Sequence, residues 1–97
     1  MKEKVIVNQI LRYLNSLEGC YARKVMSSMY GSGFPDIVCC IGGRLIWFEV
    51  KRPGGKLTKL QELELIKWSQ TGAIAEVIWS LDDVKEAVRT LIVKSGV

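Results

Sequence analysis

The chain contains no histidine. That removes every mechanism needing an imidazole base. It also leaves a structural zinc ion almost no ligands, because the three cysteines form no C-x-x-C pair. Three is an odd number, and Cys39 and Cys40 are neighbours on an expected strand, pointing to opposite faces. A disulfide framework is therefore not expected, and the thiols read as small buried apolar groups. No apolar run approaches the roughly 20 residues needed to cross a bilayer. The opening segment, MKEKVIVNQILRYLNSLEG, is interrupted by Asn8, Gln9 and Arg12 and does not read as a secretory leader. The expected compartment is thus the cytoplasm, of a cell or of an infected host cell. Repeats, low-complexity stretches and internal linkers are absent as well.

What remains is 97 residues, 48% hydrophobic and 25% charged, the composition of an ordinary globular chain. One domain over 1–97 is expected, with a modest core that a partner subunit would help to close. The net charge of +4 has one location. The segment KRPGGKLTK holds Lys51, Arg52, Lys56 and Lys59 and no acid, and elsewhere ten bases match ten acids. So local a surplus points to a polyanion, nucleic acid ahead of a membrane surface. On charge alone, a solvated lysine-rich loop is the stronger explanation.

Val5, Ile6, Ile10, Tyr13, Leu14 and Leu17 recur at helical spacing before Gly19, which predicts a helix over 2–18. Tyr21 to Met26 reads as a strand. Residues 27–35 read as a loop, in which Pro35 holds Phe34 extended. Ile37 to Ile41 and Arg44 to Val50 flank Gly42-Gly43 as a β-hairpin. Thr58 and Gln61 form a capping box that opens a second helix, with Leu60, Leu63 and Ile66 as its inward side and Gly72 as its stop. Ile74 to Trp79 is a strand. Ser80 and Asp83 then cap a last helix with a stripe of Leu81, Val84, Val88, Leu91 and Ile92. The order is α-β-β-β-α-β-α. Because VCCIGGRLIWFEV is apolar on both faces, the hairpin belongs in mid-sheet with helices on either side.

Such a hairpin makes its charges conspicuous. With the turn centred between Gly42 and Gly43, Ile41 pairs with Arg44, Cys39 with Ile46, and Asp36 with Glu49. Paired residues share a face with Cβ atoms about 4.5–5.5 Å apart. Lys51 follows on that face about 6.7 Å along the strand. Two carboxylates so close repel unless one keeps a proton or a cation sits between them. Magnesium fits, since it prefers one or two carboxylates and completes its shell with water and phosphate. It would polarise a phosphodiester, with Lys51 orienting water or stabilising charge on the phosphoryl oxygens. The structural alternative is an ion pair of Lys51 with Asp36 or Glu49.

Phe34-Pro35-Asp36, twelve intervening residues, and Glu49-Val50-Lys51 resemble the PD-(D/E)XK nuclease signature. Within that superfamily, Gly33-Phe34-Pro35-Asp36, the Glu49-Val50-Lys51 triplet and Leu57-Thr58 followed by Gln61 look most like the VRR-NUC nucleases. The resemblance spans the chain from the first helix to the last strand. It implies an α/β restriction-endonuclease-like core, αβββαβ(α), with a mixed central sheet and helices on both faces. It further implies Asp36 and Glu49 as metal ligands, with the Val50 backbone carbonyl and Glu3 of the first helix beside them. Lys51 is implied as the catalytic lysine and Gln61 as the glutamine next to the site. The ion would be Mg2+ with Mn2+ as substitute, and no small-molecule cofactor is implied. Arg52, Lys56, Lys59 and Ser32 would contact nucleic acid. Short stand-alone members of the family act as homodimers, so the expectation is a metal-dependent endonuclease cutting branched or Holliday-junction-like DNA.

Two rivals keep the same scaffold: a non-cutting nucleic-acid adaptor and an RNA endonuclease. Against the adaptor stands the intact set of Asp36, Glu49 and Lys51. Gly31-Ser32-Gly33 lacks the lysine and hydroxyl of a phosphate-binding loop. Trp47, Trp68 and Trp79 fall on expected core elements and read as packing. Met26, Met29 and Tyr30 read as the edge of the core.

Overall fold

Seven elements make up the computed structural model, which describes residues 2–26 and 33–94, with side chains up to Leu91. Ser32, Met29 and Tyr30 lie outside the described residues. Helix α1 (Glu3–Asn15) leads to β1 (Cys20–Lys24), then β2 (Ile37–Ile41) and β3 (Arg44–Val50). Helix α2 (Lys59–Ser69), β4 (Ile74–Ile78) and α3 (Leu81–Lys94) follow. The sheet order is β1-β2-β3-β4, antiparallel except for the parallel β3–β4 pair. That parallel pair needs a crossover connection, which α2 supplies.

Helix α1 is shorter than the predicted 2–18, and its last residue, Asn15, serves β1 as a partner through its side chain. Its Nδ2 donates to the Ala22 carbonyl (3.0 Å) and its Oδ1 accepts from the Ala22 amide (2.9 Å). This side chain pins the start of β1, which therefore begins at Cys20 rather than Tyr21 and ends at Lys24 rather than Met26. The buried side of α1 is Ile6, Val7, Ile10 and Leu14, while Val5, expected inside, is exposed. The hairpin matches its prediction residue for residue. Gly42 and Gly43 take φ of +56° and +82°, as a tight two-residue turn demands, and Ile41 pairs with Arg44.

One face of the sheet packs Ile37, Cys39, Ile46, Phe48, Val50 and Ile78 against α1 and against Val84, Val88 and Leu91 of α3. Phe48 has no exposed surface and lies on a central strand. Phe48→Ala is expected to cost about 3–5 kcal/mol of unfolding free energy in a denaturant titration, because this core cannot collapse around so large a void. Helix α2 covers the other face, where Trp47, Phe34 and Trp68 form an edge-packed trio with ring centres 4.5–6.4 Å apart.

The inward side of α2 corrects the sequence reading. Leu65 is buried and Gln61, Glu64 and Trp68 are half-buried, whereas Leu60, Leu63 and Ile66 face outward. Two polar side chains are turned in because each has a partner: Glu64 accepts from Trp68 Nε1 (3.1 Å), and Gln61 reaches Glu49. The hairpin's second face is also less covered than its apolar sequence implies, since Cys40 is exposed. Trp79 lies just past β4 and is 43% exposed, so it is not a core residue. Among the described residues, no helix is long and apolar enough to cross a membrane.

Candidate active site at the end of the hairpin

The Asp36 amide donates to the Phe48 carbonyl (3.1 Å), and Phe48 is the residue that Ile37 pairs with, so the regular β2–β3 register stops at Ile37 and Asp36 lies one step out of it. The glycine turn predicts Asp36 directly across from Glu49; the paired register ends one residue short of that, yet the Asp36 carboxyl lies near enough to act on Glu49. The Asp36 side chain then turns along the strand, where its Oδ2 accepts from the Val50 amide (2.8 Å). Before it, Pro35 is fully buried and Gly33 takes φ +98°. A Cβ on Gly33 would lie 3.0 Å from the backbone of Leu60. Only glycine lets this loop lie so close to the first turn of α2.

Glu49 is 2% exposed, and it is the one buried charged side chain among the described residues. Its Oε2 accepts from Gln61 Nε2 (3.3 Å), while its Oε1 is buried with no hydrogen-bond partner. The carboxyl is pushed up to about 9, first by burial and then by the neighbouring Asp36 carboxyl. Lys51 pulls in the opposite direction and Glu3 adds to the push. Metal-free Glu49 therefore keeps its proton at neutral pH, one of the two ways in which close carboxylates escape repulsion.

Gln61 has two tasks. It completes the capping box, with its Oε1 accepting from the Thr58 amide (2.9 Å) and its own amide donating to Thr58 Oγ1 (3.2 Å). Its remaining amide hydrogens face Glu49. The helix N-terminus and the carboxylate are thereby tied together through one side chain.

Lys51 is half-buried. Among the described residues the one close ion pair is Arg89 with Glu86, so Lys51 is not consumed in a structural bridge to Asp36 or Glu49. Glu3 is exposed in the first turn of α1, and its charge reaches Glu49. No three acidic or cysteine side chains among the described residues gather closely enough to hold a metal ion between them. The centre is thus a pair of neighbouring carboxylates, with Glu3 acting on it from farther out. Arg52, Lys56 and Lys59 are exposed on and beside the loop that follows β3. The Gly55 amide closes that loop onto the Arg52 carbonyl (2.8 Å).

The sequence readings missed one residue here. Trp79 Nε1 donates to the Gly55 carbonyl (3.3 Å), which brings an exposed indole to the root of the basic loop. Its position one residue past an apolar strand and just before a helix cap was the signal available.

No protein-family model matches the chain, and no curated protein matches it in sequence. Solved structures do. A structure described as "VRR_NUC domain" superimposes with a TM-score of 0.76 at 25% identity, covering 90% of this chain and 94% of the other. A second, "VRR_NUC domain protein", gives 0.75 at 14% identity, covering 92% and 86%. The chain has the VRR-NUC fold, a small α/β restriction-endonuclease-like core of nuclease type.

Proposed function

We propose that the chain is a DNA endonuclease dependent on Mg2+ or Mn2+, acting as a homodimer on branched or four-way DNA. One observation carries the reading: a buried carboxylate oxygen, Glu49 Oε1, has no hydrogen-bond partner, and a second carboxylate, Asp36, acts on the same group from close by. A buried unpaired acceptor costs about 1–3 kcal/mol, and a fold keeps such a group where something else is meant to fill it. The donor set fits a hard divalent cation, because it offers two carboxylates and a neighbouring backbone carbonyl and no sulfur or imidazole.

Asp36, Glu49 and the Val50 carbonyl would hold the ion, with Glu3 joining from α1. When bound, it supplies Lewis acidity toward the phosphodiester and a water acidic enough to act near neutral pH. The chain's own residues supply the rest. Glu49 must release its proton to become a ligand, and Gln61 keeps its carboxylate in one orientation. Lys51 donates to the attacking water or to the phosphoryl oxygen on which charge builds. Arg52, Lys56 and Lys59 hold phosphates and fix the register of the strand without reading its sequence. Ser32 is proposed to join them. A two-fold dimer would present two such centres, which suits cutting both strands of a symmetric junction.

The test is incubation with linear, flapped and four-way DNA in magnesium or in EDTA, comparing wild type with Asp36→Ala and Lys51→Ala. Cleavage by wild type in magnesium alone, lost in both variants, is the expected result. Intact binding without cleavage under any divalent metal would make the chain an adaptor instead. Light scattering on the same preparations is expected to give twice the chain mass at micromolar concentration.

A further inference from the structure

Trp79 is a large aromatic side chain left 43% exposed, yet it is not loose. Its amide donates to Asp83 Oδ2 (2.8 Å) at the start of α3, and its indole Nε1–H is held by the Gly55 carbonyl (3.3 Å). Fixing both the backbone and the ring edge leaves the indole in one orientation, so little rotamer freedom remains to be lost on binding. The anchor point matters. A Cβ built on Gly55 would stand 3.5 Å from Lys51 Cβ, so the carbonyl that holds Trp79 belongs to a residue packed against Lys51. The Lys51 amide donates to the Ile78 carbonyl (2.9 Å), one residue before Trp79. The indole therefore stands one side chain away from the proposed catalytic lysine.

The surroundings of the indole differ on its two sides. On the loop side lie Arg52 and Lys56. On the other side opens a groove of about 510 Å3 between β4 and α3, which Trp79 lines with apolar Ile46, Ile74 and Ile78 and with charges of both signs, Glu76, Asp83 and Glu86 beside Arg44, Glu86 being paired with Arg89. Phosphates are attracted to the first side, whereas the second offers mixed charge around an apolar floor and no basic cluster to hold them. An uncharged, flat, apolar-faced group fits the second.

We propose that Trp79 is a stacking platform for an unpaired nucleobase next to the cut site, which gives the protein a preference for nucleic acid with a displaced or single-stranded nucleotide. A strand laid with its phosphates over Arg52 and Lys56 would turn a base toward the indole. A base paired in a duplex is already stacked and cannot occupy that place. Stacking on an aromatic side chain is tolerant of base identity, so the preference is for strand state and not for sequence. The inference rests on the nuclease reading and narrows its substrate.

Binding is measured with calcium in place of magnesium, using a dT oligonucleotide of about 15 nucleotides and a blunt duplex of similar length. Trp79→Ala is expected to weaken binding to the oligonucleotide by about 5- to 100-fold while changing duplex affinity less than about twofold. Trp79→Phe keeps a ring but loses the bond to Gly55, and falls between. Wild-type tryptophan emission should be quenched by the oligonucleotide and not by the duplex, and the quenching should vanish in Trp79→Phe, because Trp47 and Trp68 lie in the trio under α2. Equal losses on both probes would mean that Trp79 only holds the loop in place. Unchanged binding in Trp79→Ala, with wild type binding both probes, would overturn this inference alone. A wild type that binds neither probe would remove the nuclease reading with it.

Discussion

In the absence of metal, Glu49→Gln is expected to melt at a higher temperature than wild type at pH 8, and to cut no DNA when magnesium is added. The sign follows from where the proton sits. Glu49 is raised from 4.5 in the unfolded chain to about 9 in the fold, by burial first, then by Asp36, with Glu3 adding and Lys51 opposing. Between those two values the native state binds the proton and the unfolded state does not. Stability therefore falls as pH rises through that window, by at most about 1.4 kcal/mol per pH unit for one group. Glutamine carries a permanently uncharged head of the same shape. Its oxygen still accepts from Gln61, and its amide can donate toward Asp36, so the slope disappears while the contacts survive. Melting curves of both proteins in EDTA at pH 5, 7 and 9 decide the matter. The curves should nearly coincide at pH 5 and separate progressively above it, with Glu49→Gln the more stable by up to about 4 kcal/mol at pH 8. Parallel pH profiles for the two proteins would show that Glu49 does not hold a proton in the fold. Magnesium should then raise the wild-type midpoint by mass action, and leave that of Glu49→Gln nearly unmoved.

That result would also account for how the site can be read from the chain. The hairpin was legible because a two-residue glycine turn admits one register, and register decides which face every later side chain takes. The face taken by Glu49 and Lys51 follows from that single constraint, whereas Asp36 lies one residue beyond the paired register. Helix α2 was not legible in the same way. Its apolar residues Leu60, Leu63 and Ile66 have a helical spacing that ordinarily marks the buried side, yet they face outward. The inward side instead contains Gln61 and Glu64, polar groups whose partners lie on β3 and on α2 itself. Polarity alone cannot reveal a partner supplied by another element, and a functional centre is where such partners concentrate. Asn15 misled the boundaries of α1 and β1 for the same reason, since its amide imitates a strand. Trp79 was hidden by its neighbours. An apolar strand predicts a buried continuation, and only the bond to Gly55 explains why the ring stays outside.

The second large effect belongs to Asp36, and it separates a structural duty from a chemical one. Its Oδ2 accepts from the Val50 amide at 2.8 Å, where β3 ends beside the parallel strand β4. Asp36→Ala removes that acceptor and leaves a backbone N–H with no partner in a part-buried place, which costs about 1–3 kcal/mol. Asp36→Asn keeps an oxygen able to accept from Val50, so the fold should lose less than about 1 kcal/mol by denaturant titration. Both substitutions remove the negative charge beside Glu49, and both should reduce cleavage by at least about a thousandfold, since neither leaves two carboxylates for a divalent ion. Equal loss of activity with unequal loss of stability is thus the expected pattern. Should Asp36→Asn cut DNA at near wild-type rates, Asp36 would be a strand fastener only, and the chemistry would have to be assigned to other residues. The same variant removes the largest charged contributor to the Glu49 shift, so the pH slope of the metal-free melt should shrink in Asp36→Asn as well. Activity, stability and pH slope would then trace to one pair of neighbouring carboxylates.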